Sequence, residues 1–323
     1  FNLGLSYRFK SVDWDFLDTY RVEHHGATFL HDELRVSSAV SVVGDVRLDY
    51  VPFLQRVVPS PRGSVLVHPS ARSTVRGVVA TAFRKPTFLE SYLQLAIPLS
   101  VAGAGSFAGN WQAVADASRV REERGFTAEL GYMNQESDYF TFDSAIFYNR
   151  LEGLIQLAPN RLVSLGDNAT GIGGLDPNAR LYPVSFTQFA NACQSFELAG
   201  GEAGVRVFPV EGLDLYANYT LNVVRQNNSG CSAAELALLV NEQRTSEHKI
   251  NGGLQVRTRF GLDGSVDVHY VSPQVWAEQV VNTERQRLEY TAYPLNEYVL
   301  LNAKLGYRFW GDSTEVSLMT FNL

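Results

Sequence analysis

Apolar and polar side chains alternate with a period of two along much of this chain. In the first residues Leu3, Leu5, Tyr7 and Phe9 fall on one side, and Asn2, Gly4, Ser6 and Arg8 fall on the other. The same alternation returns in the segments 42–50, 126–132, 213–222 and 301–309. Successive side chains of a strand point to opposite faces, so the pattern predicts strands with one apolar and one polar face. No apolar stripe of helical period runs long enough to compete with it.

The alternating segments predict an all-β chain of about 13 strands. Their expected ranges are 2–9, 25–37, 41–51, 61–68, 74–83, 124–134, 139–156, 192–208, 213–224, 246–258, 264–275, 298–309 and 315–323.

Short and long connections alternate between these strands. Short turns are predicted at Ser37–Ala39, Pro69–Arg72, Gln135–Ser137, Pro209–Gly212, Gly261–Gly264 and Trp310–Ser313. The longest connections, which are polar or rich in glycine, span Lys85–Glu123, Ala158–Thr187 and Arg225–Thr245. Loops longer than about 12–15 residues are uncommon in compact soluble domains. Short turns at one rim and long loops at the other are typical of an outer-membrane β-barrel, with an apolar lipid face and a polar lumen face.

The charged residues of the strands favour the same interpretation. The following fall on the polar side: Arg8, Arg47, Arg76, Glu129, Arg257, Lys304 and Arg308. A cation on the lipid face near the membrane midplane would cost about 2–4 kcal/mol. The alternatives are a soluble β-sandwich and a surface adhesin. The turn signals of a sandwich recur about every 8–12 residues, whereas these strands recur roughly every 25 residues.

Composition removes several other classes of protein. The 323 residues carry 27 Lys and Arg against 34 Asp and Glu, and the net charge of -7 argues against nucleic acid as a partner. Hydrophobic residues make up 45 % of the chain, which argues against disorder. No stretch approaches the roughly 20 apolar residues of a transmembrane helix, but a membrane-spanning strand needs only about 10.

Several segments also match a series of strand motifs in a fixed order. Phe29–Val36 is similar to F-x-Q-D-E-W-R-L, Gly44–Tyr50 to G-L-R-Y-D, Thr81–Thr87 to G-T-G-F-R-A-P-T, and Ala145–Ile155 to F-Y-N-x-I-x-D-L-I. Leu301–Phe309 and the end of the chain, Phe321–Leu323, follow the last hairpins of the same series. Together these segments resemble the TonB-dependent outer-membrane receptors over nearly the whole chain.

The resemblance implies a fold and a function. Such receptors have 22-stranded barrels closed by an N-terminal plug. Residues 1–323 are therefore expected to be one partial, open, transmembrane antiparallel barrel domain, without the plug and the terminal strand. The implied function is TonB-energised uptake of a scarce solute, such as a siderophore, haem, cobalamin or glycan, across the bacterial outer membrane. The implied partners are outer-membrane lipid, the TonB complex through the plug, and a small-molecule or metal-chelate ligand. The alternative function is that of a passive porin-like channel.

The long loops are where ligand binding is expected, because they gather at one mouth of the barrel. The candidate contact residues are Tyr92, Gln94, Trp111, Tyr182, Gln188 and Gln279. Trp276 belongs to the same set, although a position in the aromatic belt at the membrane interface is an equally good reading of it.

Two cysteines and a group of histidines complete the candidate chemistry. Cys193 and Cys231 both fall on the long-loop side, so an oxidising exterior should let them form a disulfide. His24, His25 and His31 stand near Asp32 and Glu33, but the acidic residues fit strand positions of the resembled family, and no metal site is predicted. No nucleophile motif or nucleotide fingerprint is present in its required context, so neither an enzyme activity nor a cofactor is expected.

Overall fold

The protein is described by a computed structural model in residues 1–17, 19–99, 111–116, 120–157, 161–162, 182–233, 244–282 and 287–323. No helix in these ranges is long and apolar enough to cross a membrane. The described elements, in chain order, are β1 (Asn2–Val12), β2 (Arg21–Arg35), β3 (Val40–Val51), β4 (Arg56–Ser70), β5 (Ser73–Arg84), α1 (Phe88–Tyr92), β6 (Gln94–Leu99), β7 (Trp111–Asp116), β8 (Glu123–Asn134), β9 (Phe140–Glu152), β10 (Ile155–Leu157), β11 (Arg161–Leu162), β12 (Tyr182–Asn191), β13 (Ser195–Val210), β14 (Leu213–Asn227), β15 (His248–Arg257), β16 (Leu262–Val271), β17 (Gln274–Asn282), β18 (Arg287–Leu295), β19 (Tyr298–Phe309) and β20 (Thr314–Thr320).

One antiparallel sheet of 13 strands dominates the fold. Its order is β1-β2-β3-β4-β5-β8-β9-β13-β14-β15-β16-β19-β20, so each strand pairs with the next sheet strand along the chain. Each of the 13 predicted ranges overlaps one of these strands, which confirms the predicted fold class. One range was too long: the segment 139–156 breaks at Gly153, whose φ of 66° turns the chain out of the sheet.

The strand register builds one continuous apolar face. Residues directly opposite each other in antiparallel strands share a face. Leu5 lies opposite Thr28, and Thr28 lies opposite Leu48. Farther along the sheet Leu215 pairs with Leu254 and Leu254 with Val266, so the apolar rows cross many strands. These side chains remain open to the surroundings; Leu305, for example, is 60 % exposed.

The opposite face is polar and carries cross-strand ion pairs. Arg76 contacts Glu129 at 2.7 Å, and the Arg308 guanidinium contacts Asp263 at 2.6 Å. The charged residues that the sequence analysis assigned to the polar side all lie on this face. The apolar face also has charged residues near strand ends: Arg124, Arg150, Glu152, Glu197 and Arg225 at the long-loop ends of β8, β9, β13 and β14, and Asp32 near the short-turn end of β2. Charge on the apolar face is tolerated there because the strand ends lie far from the middle of the sheet.

The six predicted short turns all lie at one rim of the sheet, and one further short turn, residues 52–55 between β3 and β4, lies at the other rim. Glu211 and Gly212 connect β13 to β14, and Gly212 has a φ of 84°. A Cβ atom at this position would also approach the carbonyl oxygen of Arg257 to 2.1 Å. Both the positive φ and the lack of space therefore require glycine in this turn. Tight turns at this rim send every long connection to the other rim.

The sheet is open at both edges. β1 pairs with β2 and β20 with β19, and the described strands do not close the sheet by pairing β1 with β20. On these edges Leu5 is 83 % exposed and Leu318 is 70 % exposed. The architecture is therefore that of a partial barrel, as predicted.

Candidate functional site

Two of the long connections fold together above the rim. The segments 85–122 and 153–194 contribute strands to one small sheet, in the order β10-β12-β7-β6, with β11 paired to β12. The β7–β12 pair is parallel and joins the two connections directly. These two connections thus form one loop sheet at the mouth and not two separate loops.

This loop sheet brings four of the predicted contact residues into two rows. Gln94 lies opposite Asp116, and Asp116 lies opposite Gln188, so the two glutamines flank one acidic position. Trp111 and Tyr182 are direct partners in the parallel pair. The backbone hydrogen bonds between β7 and β12 thus bring together residues that are more than 70 positions apart in the sequence.

Tyr92 lies between the loop sheet and the barrel wall, at the end of α1. Its hydroxyl donates a hydrogen bond to Glu23 at 3.1 Å, and the Arg21 guanidinium lies 4.3 Å from its ring centre. Phe53 meets the same ring edge to face, with 5.3 Å between ring centres. Helix α1 is set by a capping box between Thr87 and Glu90. Tyr92 therefore packs on the polar face of β2 as well as standing at the mouth.

The remaining candidates lie on a separate hairpin. β17 and β18 pair only with each other among the described strands, and Gln279 lies opposite Tyr290. Trp276 donates its indole hydrogen to Gln274 at 3.1 Å and lies under the Arg244 guanidinium, 5.3 Å from the ring centre. Strand pairing does not bring Gln279 to the loop sheet, so the predicted set falls into two groups.

The cysteines join the bases of two connections. Cys193 and Cys231, the expected pair, are bonded to each other with their Cα atoms 5.0 Å apart. Cys193 precedes β13, and Cys231 follows β14. The bond therefore fixes the start of the 228–247 connection beside the end of the loop sheet.

An ion-pair network holds the base of the 85–122 connection, and sequence reasoning missed it. Arg84 binds Glu90 at 2.9 Å and Glu123 at 2.6 Å, while the buried Glu122 carboxylate contacts both Arg56 and Arg124. Burial alone would raise the pKa of Glu90 and of Glu122, but the hydrogen bonds from Arg84 and from Arg56 outweigh it and hold each pKa below 4.5. The charged run Arg121–Arg124, in which two arginines flank two glutamates, was the available signal.

The histidines serve different partners. His24 accepts or donates a hydrogen bond with the Tyr7 hydroxyl at 2.8 Å, and His31 contacts Asp45. His25 is buried and bonds Glu23 at 2.8 Å and the Lys85 amine at 2.9 Å. In the described part of the chain, no group of three or more His, Cys, Asp or Glu side chains is arranged to hold a metal ion.

A concavity at the short-turn rim lies away from all of these residues. It measures about 730 Å³ and is lined by Asp214, Arg257, Asp263 and Lys304 among others, and an adjoining one of about 950 Å³ extends over the same short turns. We assign it to the open inner side of the wall, because the residues around it belong to the polar face and the short turns.

Comparison with known proteins covers the whole chain. A family model described as TonB dependent receptor-like, beta-barrel, matches residues 2–323. No curated protein sequence matches the chain.

Solved structures share its fold. The siderophore receptor PirA from Acinetobacter baumannii has 15 % identity and a TM-score of 0.69, with 94 % of this chain and 42 % of that chain covered. A variant of the ferric enterobactin receptor from Pseudomonas aeruginosa has 14 % identity and a TM-score of 0.66, with 94 % and 40 % covered. PirA from Pseudomonas aeruginosa has 16 % identity and a TM-score of 0.65, with 99 % and 49 % covered. The chain spans less than half the length of each of these proteins.

Proposed function

Because this chain belongs to the β-barrel family of the TonB-dependent receptors, whose members are transporters and not enzymes, we propose that it forms part of the wall of a receptor that imports a scarce metal chelate across the bacterial outer membrane. Ferric siderophores are the first ligands to test, since the solved relatives are siderophore and ferric enterobactin receptors. Haem, cobalamin and glycans are the other classes.

The observation that carries the proposal is the two-faced, 13-stranded sheet. Its apolar rows run across many strands and stay exposed, as at Ile146 (62 %) and Leu305 (60 %). An apolar surface of this extent is unfavourable in water, but it suits the hydrocarbon of a membrane. Outer-membrane lipid is therefore the partner that we propose for this face.

The barrel wall acts by holding and guiding and not by covalent chemistry. The loop sheet and the β17–β18 hairpin stand at the long-loop rim, where ligand would arrive from outside. In a complete receptor of this family, a plug would close the lumen and pass work from the TonB complex to the ligand. The alternative of a passive channel receives no support from the matches.

Uptake of a radiolabelled ferric siderophore by cells that express the complete gene product tests this function. We expect uptake that stops when TonB is deleted or when the membrane is de-energised with a protonophore. Binding without energy dependence, or leakage of small solutes that persists without TonB, would refute active transport and favour the channel.

A further inference from the structure

Three cations gather on the polar face beneath the mouth. Lys10 lies opposite Glu23, and Arg8 lies opposite His25, across the β1–β2 pair. Lys85, which follows β5, brings its amine to 2.9 Å from His25 Nδ1. These positions place two strands and the start of one long connection around one point of the wall.

The neighbours of Lys85 fix its amine in place. His25 Nε2 lies 2.8 Å from the Glu23 carboxylate, so the ring is assigned the Nε2–H tautomer and accepts from Lys85 at Nδ1. The Tyr92 hydroxyl donates to the other oxygen of Glu23 at 3.1 Å. Glu23 and His25 are both buried. The carboxylate of Glu23 is therefore committed to His25 and Tyr92.

Beside these three cations the described residues place the Glu23 carboxylate, which is already bonded to His25 and Tyr92, so positive charge is in excess. Within those ranges no carboxylate oxygen lies within 4.0 Å of the cationic nitrogens of Arg8, Lys10 or Lys85. Partial burial and the charge of Lys10 lower the pKa of Lys85; the Glu23 carboxylate opposes this shift without cancelling it, and the charge of Arg8 adds to it. Like charges are thus held close together in a partly desolvated place. A bound anion would offset the electrostatic repulsion between them.

We propose that Arg8, Lys10 and Lys85 form an anion-binding site in the lumen wall, which holds the acidic face of an anionic metal chelate as it passes below the mouth. The proposal rests on the proposed function only for the origin of the ligand. The aromatic rings of Tyr92 and Phe53 stand beside the site and offer an apolar surface to the organic part of such a chelate.

The sequence marks Lys85 as a particular feature of this chain. Residues Thr81–Thr87 read T-A-F-R-K-P-T, whereas the corresponding family motif ends in F-R-A-P-T, so Lys85 stands where that motif has alanine. Because the family motif has alanine here, the strand motif does not need an amine at this position, and Lys85 adds a positive charge. We therefore assign Lys85 to ligand selection.

The test compares two ferric chelates of similar shape and different charge. The purified complete receptor in detergent is titrated with a trianionic ferric tris-catecholate and with an uncharged ferric tris-hydroxamate. The variants are Lys10→Gln, Lys85→Gln and the charge-preserving Lys85→Arg. The matched control is Lys249→Gln, which removes a cation from the polar face of β15, far along the sheet.

We expect wild type to prefer the trianionic chelate and each glutamine variant to weaken its binding about tenfold or more, since hydrogen bonds to charged groups are the strong ones. Lys85→Arg should retain most of the binding, and Lys249→Gln should change it little. Lack of binding of the trianion by wild type, or equal loss for both chelates, would overturn the site, since equal loss would show that the lysines do not act through the charge of the ligand. Binding that depends on these lysines, without energised uptake in cells, would instead overturn the transport proposal alone.

Discussion

Leu215 and Asn218 lie on the same strand, yet their surroundings differ. Leu215 pairs with Leu254 on the apolar face, whereas Asn218 pairs with Asn251 on the polar face. On the proposed function, a side chain on one face would meet hydrocarbon and a side chain on the other would meet the lumen. Tolerance to charge should therefore follow the direction of the side chain and not the sequence neighbourhood.

Leu215→Arg should destabilise the folded barrel by about 2–4 kcal/mol, because it places a cation in hydrocarbon. Asn218→Arg should be tolerated, since its guanidinium would reach the polar lumen. A urea titration of the complete receptor refolded into lipid vesicles measures both effects. Equal cost on the two faces would rule out the membrane interpretation.

At the scale of elements, the sequence alone predicted the strands of the 13-stranded sheet but not the loop sheet. A strand of the 13-stranded sheet has one face in each environment, so its period of two is readable, and its partner is the next strand along the chain. The loop sheet depends instead on a parallel pairing between β7 and β12, which belong to different connections. No local pattern encodes that contact. Individual candidate residues such as Gln94 and Gln188 could be chosen as loop residues, but their common strand partner Asp116 could not.

Acid should loosen the base of the 85–122 connection. The pKa values of Glu90 and Glu122 are held below 4.5, so their ion pairs stabilise the fold above that pH, and this contribution is lost as the pH falls through the lowered values. Arg84 is 42 % exposed, and screening limits each pair to about 1 kcal/mol.

Hydrogen exchange of the α1 amides, corrected for the intrinsic rate at each pH, measures this effect. Protection should fall between neutral pH and about pH 3, and Glu90→Gln should show reduced protection already at neutral pH. Protection that stays constant over this range would contradict the assigned role of the network.

The disulfide should act on the loops and not on the wall. Closure of the 38-residue interval between Cys193 and Cys231 restricts the unfolded chain by at most about 4 kcal/mol. The double variant Cys193→Ser with Cys231→Ser should keep the heat-resistant barrel, while external protease cuts the 228–247 connection faster. Loss of the heat-resistant form would show that the bond holds the barrel itself.

At the scale of the whole molecule, the open edges set the behaviour of residues 1–323. β1 and β20 each leave one side without a partner among the described strands. Unpaired backbone groups are costly in hydrocarbon and promote aggregation in water. We expect the isolated segment to aggregate or to be degraded, and the complete gene product to form a heat-resistant barrel. Discrete, stable, ion-conducting pores formed by residues 1–323 alone would contradict this account.

The most direct test of the central claim is the depth of alternate residues of β14 in the membrane. Single cysteines at Leu213, Leu215 and Ala217, and at Asp214, Tyr216 and Asn218, are introduced into the complete receptor, labelled with a fluorophore and exposed to brominated lipid. The account predicts strong quenching at the odd positions and weak quenching at the even ones, with a period of two. Uniform quenching, or no quenching at either set, would contradict a membrane-spanning wall.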